Sequence, residues 1–443
     1  MNKKIARVLS VVPPGTHLII GGTLVLGAAS YIQIAAANHA LTGDPRAAVS
    51  ALWSLIMTLT LGLFFPVEQE LTRVVAARAV RGDGIMPVVR RATVVTLGII
   101  AVFALAIALF AGPVARVFLH GQTELLWAFA AAMAGMGLAF ATRGVLAGLG
   151  RFNAYGVSLG IDGGLRIVLA LALLLGGSHS ALDFALVLAV APLGAVLCTL
   201  PAMLRGCSAG PQMRWSELFQ NTGLLITSSL LAQVVVNAAV LATGVLAPLD
   251  TNLQVAILNA GVLCRVPLFV FGSLQPTLMT GLSTAATSGD GPGFRKMLVQ
   301  TCGVVGGLGV LGAVPAVLIG PWLLRTFMGA PPVLGPMDLF WFSAGTMFYM
   351  LAMVLGQALV AMGRHVLQLA GWAFGTAVLL GVTCVPGSVA LRVEVSYFLG
   401  SLSTAVLLLG LIWRESRRTA RPHGAADTPA PGRAARPRAT ESL

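Results

Sequence analysis

The residues best placed to do chemistry in this chain are charged groups set inside apolar runs. Arg265 lies in LQVAILNAGVLCRVPLFVFG, roughly 18 Å into its segment at helical rise and close to mid-bilayer depth. No carboxylate occurs on the same segment within two helical turns, and Asn259 and Gln275 are its nearest strongly polar neighbours. Pro267 can free a backbone carbonyl there. An arginine so placed needs a carboxylate from another helix, water or an anionic ligand. Two readings stand: a pair with Asp162 or Glu68, or a site for a substrate anion. The planar guanidinium fork suits the oxygens of a diphosphate.

Arg166 is placed differently. It follows Asp162 by four residues in YGVSLGIDGGLRIVLALAL, on one helical face and in the favourable acid-then-base order. The pair is either a self-neutralised structural element or the wall of a cavity. A third feature is FFPVEQELTRVVAARAVRGDG, Phe64 to Gly84, where an apolar run ends in Glu68, Glu70 and Arg73. Glu70 and Arg73 can pair at a spacing of three, Gln69 can also reach Arg73, and Glu68 projects from another face just past Pro66. These three charged residues form a gate contact, an entry point for a polar headgroup or a plain helix end. Amides at Gln33, Asn38, Asn221, Gln233, Asn237 and Asn259 suggest a shared polar cavity, although each alone is commonly glue between helices.

The elements that must hold these groups follow from composition. Hydrophobic residues make up 57% of the 443, charged residues 10%, and mean hydropathy is +0.89. Soluble domains carry about 25% charge, so lipid is the solvent implied here. Twelve apolar runs of spanning length are read at 16–39, 48–67, 92–111, 125–149, 157–175, 182–204, 221–246, 253–281, 297–319, 337–361, 366–386 and 395–413. A basic start and a first run ending in AAANHA resemble a signal peptide. That run is nevertheless long enough to span, and even topology requires it.

The net charge of +13 is a matter of placement. With the N-terminus inside, the basic residues collect on the inner side, Arg143 and Arg151 at the end of the fourth span among them. Only Arg46, Arg116, Arg325 and Arg392 fall outside, and Arg166 and Arg265 fall within spans. This is the positive-inside pattern, which places both termini in the cytoplasm and argues against nucleic acid as a partner. The preponderance of Arg over Lys, with abundant Ala and Gly, resembles the coding bias of a GC-rich bacterium. A bacterial plasma membrane is therefore the expected location.

The chain also repeats itself. Gly82-Asp83-Gly84 before Arg90-Arg91 is echoed by Gly289-Asp290-Gly291 before Arg295-Lys296. LFAGPVARVFL is echoed by VLIGPWLLRTFM, and GVLAGLGR by QALVAMGR. The offset is about 208 residues, or six spans. An even number preserves orientation, so the expected fold is all-α: about twelve transmembrane helices in two six-helix lobes related by an axis along the membrane normal. The expected divisions are a first lobe at 1–204, a cytoplasmic connector at 205–220, a second lobe at 221–413 and a disordered basic tail at 414–443. Within the connector, Trp215 to Gln220 reads as a short interfacial helix. The counterpart of the charged Glu68 stretch, SLQPTLMTGLS, carries no charge.

Several function classes lack their signals. No phosphate-binding loop is present, the five cysteines form no disulfide framework or metal set, and no cofactor is implied. An enzyme acting on lipid-linked sugars would need outward carboxylates on a sizeable loop, whereas Asp44, Glu124, Asp183, Asp250, Asp338 and Glu394 read as isolated residues on short loops.

Twelve spans in parallel lobes, FPVEQELTR after the second span, GRFNAYG before the fifth and an arginine in the eighth resemble a known group. It is the polysaccharide-biosynthesis flippases of the multidrug/oligosaccharidyl-lipid/polysaccharide (MOP) exporter superfamily, related to lipid II flippases and multidrug antiporters. The resemblance implies translocation of a polyprenyl-diphosphate-linked oligosaccharide from inner to outer leaflet by alternating access. The diphosphate would sit in a cationic cavity and the tail in membrane lipid, with Na+ or H+ as coupling ion and glycan-assembly enzymes as partners. Arg265 resembles a cavity arginine of the lipid II flippases, but the first span offers only Gln33 and Asn38 in place of their charged cluster. A drug antiporter of the superfamily would need an intramembrane carboxylate, for which the sequence offers Asp162, already close to Arg166. The remaining alternatives are a membrane glycosyltransferase or polymerase and a non-transporting envelope scaffold.

Overall fold

A computed structural model describes residues 16–215, 222–272, 282, 285 and 290–419. The described residues are helical with short connections. The first lobe comprises α1 (Thr16–Ala40), α2 (Gly43–Arg81), α3 (Met86–Phe118), α4 (Leu125–Gly148), α5 (Phe152–Leu175) and α6 (Ala181–Leu204). The second comprises α7 (Thr222–Leu246), α8 (Thr251–Cys264), α9 (Val266–Gly272), α10 (Gly291–Thr326), α11 (Pro336–Ala361), α12 (His365–Thr383) and α13 (Val389–Thr419). Among the described residues, eleven helices are long and apolar enough to cross a membrane, or twelve if α8 and α9 form one bent span.

The internal repeat is visible in the packing. In the first lobe α1 packs on α5, α2 and α3 on α4, and α4 and α5 on α6. In the second lobe α7 packs on α12, α8 and α10 on α11, and α11 and α12 on α13, which is the same scheme one lobe later. The lobes meet chiefly where α2 lies along α7, with α8 reaching both α2 and α1. α3 and α10 occupy equivalent peripheral positions and present mostly exposed apolar side chains, among them Val102, Leu109, Leu311 and Leu318. Lipid is the medium such surfaces require.

Some local expectations are revised. The second apolar run does not stop at its charged end. α2 continues as one helix through Pro66 to Arg81 and stops at Gly82, whose φ of 73° closes the turn on Arg78 and Ala79. The eighth span breaks instead, with α8 and α9 meeting at 41° around Arg265. Pro267 follows the break and withholds its N–H from the helical ladder. The last helix runs to Thr419, past the expected end at 413, because Glu415 is buried against Arg364 at 2.9 Å. Residues 420–443 and most of the expected helix from Trp215 to Gln220 lie outside the described residues.

The start of the connector forms part of the first lobe. Met86 N–H donates to Ser208 O at 3.0 Å, Arg78 Nη1 to Pro211 O at 2.9 Å, and Met213 is buried among Val67, Leu71 and Val88. This connector end is the one expected to face the cytoplasm.

Spans one and five are held together at backbone distance. A Cβ on Gly156 would lie 2.4 Å from the Leu18 carbonyl carbon, and one on Gly163 would lie 2.7 Å from Leu26 Cα. Only one member of each neighbouring glycine pair is used, since nothing lies within 4 Å of Gly21 or Gly164. Close approach between such helices is a main source of association in lipid. Gly163→Val should push α1 from α5 and cost about 1–3 kcal/mol, seen as a lower melting temperature of the purified protein. Gly164→Ala should leave that temperature unchanged.

Candidate functional site

Two polar centres lie inside the molecule, one in each lobe. The first is built on α2, α4 and α5. Asp162, fully buried, accepts from Arg166 Nε at 2.8 Å and from Arg143 Nη2 at 2.6 Å. Arg143 also donates to Ser158 Oγ at 3.3 Å, and Arg166 to Met136 Sδ at 3.5 Å. On the connector side, Tyr155 Oη donates to Glu68 Oε1 at 2.8 Å, and Glu68 lies close enough to Arg143 to interact with it electrostatically. Two carboxylates thus face two guanidinium groups, and the cluster is neutral overall.

The bond of Arg166 to Asp162 is the one expected from their spacing, but Arg143 joins it from another helix. Arg143 is 3% exposed and does not belong to the surface charge of the inner side. Its place inside the apolar run 125–149 was the signal available in the sequence. Glu68 is buried and parts company with its neighbours: Glu70 pairs with the exposed Arg73 across 2.5 and 3.0 Å. Gly144 permits this arrangement, because a Cβ there would meet the Glu68 carbonyl at 2.8 Å.

The second centre is Arg265, half-buried at the α8–α9 break. Its Nη1 donates to Asn237 Oδ1 at 2.9 Å, and its Nη2 donates to Val236 O, both on α7. Nε is buried and has no hydrogen-bond partner. Tyr31, Tyr349 and Tyr397 form its electrostatic surroundings. Among the described residues no carboxylate lies within salt-bridge distance of it, so neither Asp162 nor Glu68 is its partner. Tyr31, from the first lobe, donates to Val262 O at 3.0 Å, so a first-lobe side chain lies beside this centre.

The expected shared cavity of amides is divided. Asn259 is not at Arg265: its Nδ2 donates to Val255 O at 2.7 Å and its Oδ1 accepts from Asn38 Nδ2 at 2.8 Å. Asn38 also donates to Met328 O at 2.9 Å, which ties the lobes together at the end opposite the connector. Arg46 and Asn252 meet across the same end at 3.2 Å. Gln33 donates to Phe184 O at 3.4 Å, while its Oε1 and the Trp53 Nε1 are buried without partners. They line a cavity of about 10 Å³, enough for about one water. Asn237 is the amide that serves Arg265; Asn221 lies outside the described residues. Toward the connector the described seam contacts include Gly27 and Tyr31 against Phe269 and Gly62 against Leu230.

Another charged residue departs from its sequence reading. Glu394 is no loop residue but sits fully buried in α13, with neither carboxylate oxygen receiving a donor. The side chain in reach is Asp338 of α11, another carboxyl group, which accepts from Gly335 N–H at 2.7 Å.

Comparison with known proteins places this architecture. No family model matches the chain. It is 28% identical to the uncharacterized protein Rv1510 of Mycobacterium tuberculosis over 59% of its length, and the match spans 60% of that relative. It is 26% identical to the uncharacterized protein Rv3630 of the same organism over 88% of the chain and 93% of the relative. Among solved structures it resembles the inward-facing conformation of a multidrug resistance MATE family transporter of the MOP superfamily. The TM-score is 0.71 at 13% identity, covering 90% of this chain and 95% of that one. The Vibrio cholerae MATE transporter VcmN follows at 0.68 and 15% identity, covering 91% and 95%. An outward-facing conformation from the MATE family gives 0.64 at 15%, covering 92% and 98%. The chain has the two-lobed, membrane-spanning fold of MATE transporters of the MOP superfamily.

The neutral cluster gives a direct test. Asp162→Asn leaves Arg143 and Arg166 buried without their carboxylate and should cost about 3–5 kcal/mol, lowering the melting temperature in detergent. Adding Arg166→Gln should recover part of the loss, because one of the two stranded charges is gone.

Proposed function

We propose that this chain is an alternating-access transporter that moves a polyprenyl-diphosphate-linked oligosaccharide from the inner to the outer leaflet of a bacterial plasma membrane, with Arg265 as the headgroup site. The observation that carries this reading is the guanidinium at the α8–α9 break, which lies beside Tyr31 of the other lobe, has no carboxylate within salt-bridge distance among the described residues and keeps Nε unpartnered. Arg143 and Arg166 of the adjoining lobe are held by Asp162, whereas Arg265 has no carboxylate among the described residues and is the cation we assign to an anionic cargo. A broken helix at a repeat interface is a recurrent setting for substrate sites in transporters. Among the described residues, hydrogen bonds of Asn38 and Arg46 tie the lobes at the end opposite the connector, and nearer the connector Gly62 lies against Leu230. The MATE neighbours in inward- and outward-facing conformations support rocking of the two lobes.

In proteoliposomes carrying a fluorescent undecaprenyl-diphosphate-linked sugar, Arg265→Ala should reduce translocation at least about tenfold, as expected for loss of a charge-assisted contact worth 2 kcal/mol or more. Arg265→Lys should retain part of the rate, since the charge stays but the fork is lost. Wild-type rates in Arg265→Ala would remove the headgroup assignment.

A second reading, a cation-coupled multidrug antiporter, is favoured by one observation: Glu394 is an intramembrane carboxylate that no basic side chain among the described residues neutralises. Asp162 suits that role less well, because two arginines already hold it. If this reading holds, Glu394→Gln should abolish efflux of an organic cation such as ethidium from cells while Arg265→Ala spares it. The flippase reading expects no ethidium efflux from the wild type.

A further inference from the structure

The first turns of α3 carry Arg90 and Arg91 at the connector end of the first lobe. Arg91 is half-buried, and its guanidinium carbon lies 4.7 Å from the ring centroid of Trp215 in the connector. Trp215 is itself 47% exposed, and the exposed Arg214 precedes it. A guanidinium over an indole face is a favourable arrangement, but it gives the charge no anion. Arg91 Nη1 is taken out of water by this packing and has no hydrogen-bond partner.

The carboxylates at this end are already engaged. Glu70 is held by Arg73, Asp83 by Arg81 at 3.2 Å, and Glu68 accepts from Tyr155. Among the described residues neither Arg90 nor Arg91 has a carboxylate within salt-bridge distance. Two adjacent cations therefore stand at one end of a peripheral helix without a protein counter-ion.

The surface that leads away from them is apolar. At helical spacing from Arg91, the residues Val94, Gly98, Val102, Leu105 and Leu109 fall on one face. Val94 is 59% and Val102 69% exposed, and nothing lies within 4 Å of the place a Cβ on Gly98 would take. The buried residues Val88, Ala92 and Thr96 lie on another face of the helix. From Arg91 to Val102 is about 17 Å at helical rise, about half of a hydrocarbon core of ~30 Å. An acyl chain of one leaflet laid on this strip has its phosphate level with Arg90 and Arg91.

We propose that Arg90, Arg91 and Trp215 form a binding site for the phosphate of an anionic phospholipid in the connector-side leaflet, with an acyl chain along the exposed strip of α3. The guanidinium fork suits phosphate oxygens, an indole sits naturally at headgroup depth, and basic groups at a membrane surface attract anionic lipid. This goes beyond transport, because the lipid is a resident partner and not the cargo. Met86 N–H already donates to Ser208 O at 3.0 Å, so a phosphate held between α3 and Trp215 fastens the connector to the first lobe. The second lobe supplies a natural comparison. α10 carries the exposed Arg295 and Lys296 at the repeat position, but among the described residues no aromatic ring stacks on either.

The test is native mass spectrometry of the full chain in detergent, titrated with dioctanoyl phosphatidylglycerol, dioctanoyl phosphatidylcholine or inorganic phosphate. Neither cargo nor transport enters it. The wild type should bind the glycerol lipid at least about fivefold more tightly than the choline lipid, the scale of one basic side chain near a membrane surface. Inorganic phosphate at equal concentration should not displace it. Arg91→Gln should weaken binding of the glycerol lipid about fivefold, and Trp215→Leu about two- to fivefold. These lesions sit on different elements, so poor folding of one leaves the other to decide. Arg295→Gln removes the same charge at the repeat position and should bind like the wild type. Equal binding of the two lipids, displacement by inorganic phosphate, wild-type binding in Arg91→Gln, or an equal loss in Arg295→Gln would each overturn the site.

Discussion

Burying a charge inside a lipid-embedded protein is tolerable only where another group answers it, and in this chain the answer centres on Asp162. Its two oxygens are shared between Arg143 and Arg166, so helices four and five are joined by one carboxylate. Glu68 and Tyr155 extend the cluster to the second helix. The glycines at 144, 156 and 163 bring the backbones near enough for these short contacts to form. Removing any one charge exposes the others, so the first lobe is stiffened through a single neutral network.

The second lobe repeats the helical scheme but not this economy of charge. Arg265 and Glu394 are ionisable groups inside the same lobe, yet they do not pair. Arg265 is left to amide and carbonyl oxygens on α7, and Glu394 faces only another carboxyl group. A lobe whose buried charges pair with one another, packed against one in which Arg265 and Glu394 do not pair, is a physical asymmetry that the backbone symmetry conceals. Among the described residues of the seam between them, amides, an imidazole and carbonyls meet at the end opposite the connector, and Gly62 lies against Leu230 nearer the connector.

Much of this was legible along the chain. Span lengths, repeat spacing and the Asp162/Arg166 and Glu70/Arg73 pairs are local properties, set by helical periodicity and by the requirement that lipid-exposed backbone be hydrogen-bonded internally. Arg143 was legible in part, since it falls within an apolar run, but its charge reads equally as an inner-side residue until its partner is known. Glu394 was misread because one carboxylate near a predicted loop gives no sign of how far the helix extends around it.

By itself, then, the sequence determined the solvent, the length and spacing of the spans, the two-lobed repeat and the place of Arg265 within its apolar run, because each depends on composition and period alone. Tertiary structure decided which charges cancel. Asp162 and Arg143 are far enough apart in the chain that only packing of α4 on α5 brings them together. Asn38 and Asn259 meet only because the lobes close, which converts two suspected cavity amides into a seam. Arg265 stands without a carboxylate for the same reason: whether an ion has a partner is a property of the assembled helices, not of the segment that carries it.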